Sequence, residues 1–296
     1  MKIKQIIKII SCFLIALILF TACGNEQKND TSVTPQDTSN LNTANETPKI
    51  ADAKKILYSL PSPLEAATLL KMAGATFDKS SLNLPSNASK YVTNDSKALN
   101  LGIYGTDLIF ANIFDQTQES TDYLKACNTL ASALGIDAAF GEDTYKRLKA
   151  NVGNRDSMFF ILSDASLIAD AYFKENERPT ASGLSAAGAW IEGLYIATRV
   201  VNKTKNEEII ERVVDQKHSL NDLIAILESY GSEKDVAPVL NDLKEMKELY
   251  DGLKVEKTKK EAGSKTVGVS RKIIITPEQL KSISEKIEVI RNKIVN

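Results

Sequence analysis

Two stretches near the C-terminus fix the fold class. Val236, Val239, Leu243, Met246, Tyr250 and Leu253 fall at spacings of 3, 4, 3, 4 and 3. Leu280, Ile283, Ile287, Ile290 and Ile294 follow at 3, 4, 3 and 4. Apolar residues three and four apart share one side of a helix, so each stretch is a helix with a narrow seam of coiled-coil type. Each seam covers under three heptads, which favours two antiparallel helices of one bundle. A dimer through the seams is the alternative. Thr276-Pro277-Glu278-Gln279 opens the second helix as a capping box with Pro at the first helical position.

The rest of the chain from Ile50 onward is helical in pattern. Ser62-Pro63-Leu64-Glu65 is another capping box, and its helix runs to about Ala73 before Gly74. Residues 79–93 form a loop with a short turn. Asn94–Asp115 is apolar on most sides, the mark of a buried helix. Helices follow at about 118–134, 142–151, 156–175, 180–202 and 206–230, punctuated by Gly135, Gly153, Arg178-Pro179 and Gly231. Strand signals are nearly absent. Val267, Val269 and Ile273–Ile275 are the exception, and they predict an excursion loop or a short β-hairpin near 264–276. The segments around 94–130 and 156–200 share a style but no fixed period, so no solenoid is expected. The expected fold is all-α: a bundle of about eight to nine helices forming one domain over 50–296.

The N-terminus reads differently. Lys2, Lys4 and Lys8 precede an apolar run from Ile9 to Phe20, and Thr21-Ala22 then leads to Cys23. A basic segment, a short apolar segment and small residues describe a secretory signal peptide over 1–22. The run falls short of the ~20 apolar residues a membrane span needs. Leu19-Phe20-Thr21-Ala22-Cys23 resembles the lipobox of bacterial lipoproteins, with Phe20 where Leu is usual. That resemblance implies cleavage before Cys23, a diacylglyceryl thioether on its sulfur and an acylated amino terminus, which together suffice for stable anchoring. Residues 23–49 are Asn, Thr, Asp, Ser and Gln with almost no large apolar side chain, and so predict a disordered tether. At ~5–6 Å × √n, such a tether spans roughly 25–30 Å.

The formal net charge is −1, and loss of Met1–Ala22 removes three Lys and no acid. A mildly acidic chain lacks the basic patch of a nucleic-acid binder and the polybasic stretch that would add a second membrane contact. The three cysteines are Cys12, Cys23 and Cys127. Cys12 leaves with the signal and Cys23 is acylated, so Cys127 has no partner for an intrachain disulfide. It reads as a small buried hydrophobe on a helix.

Ionisable residues on apolar helix faces are the candidates for function, because a buried charge is costly unless paired. At 100° per residue, Tyr104, Asp107, Ala111 and Asp115 lie within about 80° of one another. Asp164 shares a face with Phe160, Ile161, Ile168 and Ala171, opposite Asp156, Ser163 and Asp170. Ser185, Gly188, Glu192, Tyr195 and Arg199 share one side of the 180–202 helix, opposite Trp190, Leu194, Ala197 and Val201. One polar pocket where these helices meet would use Tyr104, Asp107, Asp115, Asp164, Glu192, Tyr195 and Arg199 to bind a ligand. Arg199 would offset the acids. The bland alternative is an internal network that specifies packing, with Arg199 on Glu192 or Asp107. Paired carboxylates doing general acid–base work are a third. The small residues of Ala181–Ala189 allow either close backbone approach or a ligand against the helix.

The single His, His218, lies on a stripe with Glu207, Glu211, Asp215 and Asp222. Asp215-x-x-His218 has the spacing of a helical metal-ligand pair, but a di-iron bundle needs two such motifs. The stripe opposes Ile209, Val213, Leu220 and Leu227 and reads as a solvated face, so no metal and no cofactor is expected. G-x-S-x-G, P-loop, G-x-G-x-x-G and H-E-x-x-H motifs are absent from the sequence.

Tyr58-Ser59-Leu60-Pro61-Ser62-Pro63, Ala98–Leu108, Phe114–Gln118, Asn154–Ser157 and Trp190–Thr198 together resemble an uncharacterised group of helical lipoproteins from Bacteroidota-type bacteria. The resemblance implies a Gram-negative envelope and brings no activity or ligand. Gly24 is not the Asp linked to inner-membrane retention, so attachment to the outer membrane is expected. The expected function is a non-enzymatic, lipid-anchored envelope protein that binds a small ligand or an envelope protein partner. A hydrolase using Asp107, Asp115, Asp164 or Glu192 is the alternative, and a structural assembly subunit is a third.

Overall fold

The computed structural model describes residues 63–230, 234, 236–259 and 269–296. The expected signal segment, the tether, Ser62 and Gly231 lie outside them. Nine α-helices occur among the described residues: α1 (Pro63–Met72), α2 (Asn94–Ile113), α3 (Thr117–Leu134), α4 (Asp137–Asn151), α5 (Arg155–Glu175), α6 (Pro179–Thr204), α7 (Glu207–Ser229), α8 (Ala237–Asp251) and α9 (Pro277–Val295). Between α8 and α9, strands β1 (Lys254–Lys259) and β2 (Val269–Ile274) form an antiparallel pair, with Lys254 opposite Ile274 and Lys259 opposite Val269. The chain is thus an all-α bundle with a short β-hairpin. The hairpin starts earlier than its β-branched residues indicate, because Lys254 onward pairs with them. No described helix is long and apolar enough to cross a membrane.

Local chemistry sets most helix ends. The Thr93 hydroxyl accepts from Ser96 N–H at 3.1 Å, Asn154 from Ser157 N–H at 3.1 Å and Asn206 from Ile209 N–H at 3.2 Å. Each satisfies an amide that the first turn leaves without a partner. At α9 the expected capping box is complete: Gln279 N–H donates to Thr276 Oγ1 at 3.2 Å, and Thr276 N–H donates to Gln279 Oε1 at 3.0 Å. Gly135 closes α3 in the left-handed conformation, φ 71°. α4 begins at Asp137, five residues before its expected start. Ile136 caps it without a side-chain bond, so no Ser, Thr, Asp or Asn announces the turn.

α2 and α6 form the centre of the bundle. α3, α1 and α9 pack on α2, and α7, α5, α9 and α1 pack on α6. At the α2–α6 crossing the backbones touch. A Cβ on Gly102 would stand 1.9 Å from Ser185 O, and one on Gly188 would stand 1.9 Å from Leu99 O. Thr106 Oγ1 ties the crossing by donating to Gly102 O at 3.1 Å or Ala189 O at 3.3 Å.

α8 and α9 run antiparallel, with Lys293 bound to Asp242 at 2.6 Å and Lys286 to Glu245 further along. Their seams meet: Leu243, Met246 and Tyr250 from one helix and Ile283, Ile287 and Ile290 from the other are fully buried. Each seam is filled by its neighbour in the same chain, which leaves neither open for a second copy. α9 also buries Ser284, Arg291 and Val295, on the flank it turns to α6 and α2.

Candidate functional site

The structure brings together some of the expected site residues and disperses others. Asp107 on α2 and Glu192 on α6 are both 0% exposed. The cation that meets them is Arg291 of α9. Its Nε donates to Glu192 Oε2 at 2.9 Å and its Nη2 to Glu192 Oε1 at 3.1 Å, a two-pronged, charge-assisted pair. Tyr195 stacks on the same guanidinium, 4.7 Å from ring centroid to Arg291 Cζ. Arg199 plays no part in this pair. That corrects the expectation that Arg199 offsets the acids: it sits nearly two turns beyond Glu192, whereas Arg291 enters from a neighbouring helix.

Asp107 is held by Asn83 N–H, which donates to Oδ2 at 3.1 Å. Its Oδ1 meets no donor in the chain. Full burial and the Glu192 charge push the Asp107 carboxyl well above the ordinary range. Burial also raises Glu192, but Arg291 and a hydrogen bond from Asp107 oppose that rise. Burial and the neighbouring carboxylate thus drive Asp107 toward its protonated form, while Arg291 holds Glu192 toward its ionised one. Around the triad, Asn83 Nδ2 donates to Tyr91 Oη at 3.0 Å, Tyr91 Oη to Val295 O at 3.2 Å and Asn100 Nδ2 to Ile294 O at 3.2 Å. Tyr104 Oη donates to Leu84 O at 2.8 Å. These bonds fasten the end of α9 and the 83–91 loop to α2.

Asp115 and Asp164 lie elsewhere. Asp115 follows α2 with φ 59° and pairs with Lys71 at 2.7 Å on the surface. Asp164 is exposed, as are Phe160 and Leu167 on the same helix. The expected faces of α5 hold in part: Ile161 is buried and Asp156 and Ser163 are exposed, but Asp164 and Phe160 turn outward. Asp170 turns toward α6, pairing with Lys174 at 2.8 Å and accepting from the Ser182 hydroxyl. Arg199 and Tyr195 line a groove of about 680 Å³ between α6 and the start of α9. Tyr104, Asp107, Asp115, Asp164 and Glu192 line neither that groove nor the larger cavity below. The two paired carboxylates have no solvent contact, so no substrate reaches them where they stand. His218 is exposed, and no group of three His, Cys, Asp or Glu side chains suited to a metal occurs among the described residues.

The larger feature is one that the sequence hides. A cavity of about 1120 Å³ runs between α1, α2, α3, α4, α5, α6 and α7. Its walls are mainly aliphatic and aromatic, with Leu108, Ile109, Leu148, Phe173, Trp190 and Leu194 among them. Met72, 78% exposed, and Leu167, 46% exposed, also line it and mark where it opens. Two further wall residues are Gly105 of α2 and Gly193 of α6, and a Cβ at either would meet nothing within 4 Å. Glycine inside a helix costs about 1 kcal/mol relative to alanine. At Gly102 and Gly188 helix contact requires it. At Gly105 and Gly193 no neighbouring atom does, and the absent side chains widen the cavity. Burial raises the Cys127 thiol on the α3 wall to about 12, so it stays neutral.

No family model, curated protein sequence or solved structure matches the chain.

Proposed function

We propose that this protein binds an apolar small molecule in the cavity between α2 and α6 while Cys23 anchors it to the cell envelope. The observation that carries the binding role is the pair Gly105 and Gly193, which face open space in the middle of two helices. A volume of about 1120 Å³ is slightly above the ~300–1,000 Å³ common for ligand pockets. Its apolar lining suits a ligand that gains by leaving water. The anchoring role rests on the Leu19–Cys23 segment and on the polar tether that follows it.

Trp190, the single Trp, lines the cavity and reports on it. The neutral reporter N-phenyl-1-naphthylamine should bind saturably and take energy from Trp190. Gly193→Phe and Gly105→Leu should each abolish binding while the unfolding temperature holds or rises. Reporter binding that survives both substitutions, or that never occurs, would sink the cavity role. Labelled palmitate should enter the wild type and be absent from Cys23→Ser. Equal labelling of both would refute the anchor.

A further inference from the structure

We infer that the ligand is an uncharged amphiphile: an apolar tail whose head accepts one hydrogen bond, as an ester carbonyl does. This deepens the cavity binding proposed above and rests on it.

The head group is read from Asn112. It lies on α2, lines the cavity and is 4% exposed, and its Nδ2 has no hydrogen-bond partner in the chain. A buried amide left unbonded is costly, so an acceptor brought by a ligand recovers that cost. Two other buried polar groups of the wall are engaged: Thr106 with Gly102 O and Ala189 O, and Ser182 with Asp170.

The head carries no negative charge, because the lining repels one. Asp137, Asp170, Glu208, Glu211 and Asp215 line the cavity, and Arg212 is the one cation among the described lining residues. Arg212 is bound to Asp215 at 3.3 Å and Asp170 to Lys174 at 2.8 Å. Lys71 sits against the end of α2 but lies outside the lining. Asp115 at 2.7 Å and the Ile113 carbonyl hold it. A carboxylate or phosphate head would thus meet a mainly acidic lining, Asp137 and Glu208 included, whose one described cation is already held by Asp215. The tail follows from the leucine, phenylalanine and alanine walls and from the apolar lips at Met72 and Leu167.

The test uses the full chain carrying Cys23→Ser in detergent-free buffer at pH 7, titrated with methyl dodecanoate, dodecanoate and dodecane while Trp190 emission is followed. The ester should bind about tenfold or more tightly than either the acid or the alkane, the worth of one hydrogen bond and of charge exclusion. Asn112→Leu should bring the ester down to the level of dodecane and leave the fold intact, with an unfolding temperature equal to or above that of the wild type. Dodecanoate binding as well as the ester would overturn the inference. So would equal binding of ester and dodecane, or a preference that survives Asn112→Leu. These results would leave cavity binding standing. If none of the three probes binds, the inference falls, and the naphthylamine reporter then shows whether cavity binding falls with it.

Discussion

Asp107 and Asn112 lie five residues apart on α2; Asp107 Oδ1 meets no donor and Asn112 Nδ2 no acceptor within the chain. Their surroundings resolve this in opposite ways. Asp107 faces Glu192 and Arg291 and answers its deficit internally, by keeping a proton. Asn112 faces the cavity, and no neighbouring side chain answers it. One side of the α2–α6 pair is a closed polar lock holding the end of α9, and the other is an open apolar chamber. A buried polar atom therefore signals binding only when open space lies before it. Two of the four carboxylates singled out in the sequence, Asp107 and Glu192, belong to the lock.

The strongest way to break the contrast is to remove the cation of the lock. Arg291→Leu leaves Glu192 buried, charged and unpaired, and such losses cost about 3–5 kcal/mol. Chemical denaturation should show that loss. The cavity should still take the naphthylamine reporter in the population that remains folded. A loss under 1 kcal/mol would mean that Glu192 takes up a proton or reaches water, and that the lock is weaker than its geometry indicates.

Four glycines of α2 and α6, Gly102, Gly105, Gly188 and Gly193, sharpen the comparison at lower cost. Gly188→Ala drives a Cβ into the Leu99 carbonyl, a backbone atom that cannot swing away, and overpacking of this kind costs roughly 1–3 kcal/mol. Gly193→Ala meets nothing within 4 Å and should gain about 0.5–1 kcal/mol from helix propensity alone. The two substitutions are chemically the same and lie on the same helix, so opposite signs in thermal unfolding would separate a contact glycine from a chamber glycine. Equal signs would mean that the chamber closes in solution.

Much of this architecture is legible in the sequence because it rests on local rules. Spacing of 3 and 4 finds the α8 and α9 seams, and Thr276 with Gln279 finds the α9 capping box. The start of α4 is hidden, since Ile136 offers no capping side chain. Periodicity tells which residues of α5 share a side but not which side faces inward. With Phe160 and Leu167 exposed there, apolar residues mark both. Arg291 escapes notice because the seam Ile283, Ile287, Ile290 explains only the flank of α9 that meets α8. The buried second row, Ser284, Ile287, Arg291 and Val295, is the signal that points to it. The cavity has no sequence signature, because leucines that line a hollow read the same as leucines that fill a core. Ser185, Ala186 and Ala189 line it while Gly188 makes the close contact, so the small-residue run of α6 gives both the close backbone approach and part of the cavity wall.

An effect that shows only as a difference between two pH values tests where the proton of the lock resides. The Asp107 carboxyl is raised above its ordinary 3.8 in the folded chain, so the folded state keeps a proton that the unfolded chain releases. The Asp107 contribution to stability is then fully present below about pH 3.8 and falls as pH rises toward the folded value, with a limiting slope of about 1.4 kcal/mol per pH unit. Asp107→Asn replaces the O–H donor toward Glu192 with an N–H that cannot be lost, and its amide oxygen can still accept from Asn83. Wild type and variant should therefore unfold with similar free energies near pH 3.5, and the variant should lead by roughly 1 kcal/mol at pH 5. Denaturant titrations at the two pH values measure this gap. If the gap is absent and Glu192→Gln produces it instead, the proton sits on Glu192. The lock would then be a neutral acid and an ionised Asp107 sharing Arg291 through space, and Arg291→Leu would cost correspondingly less.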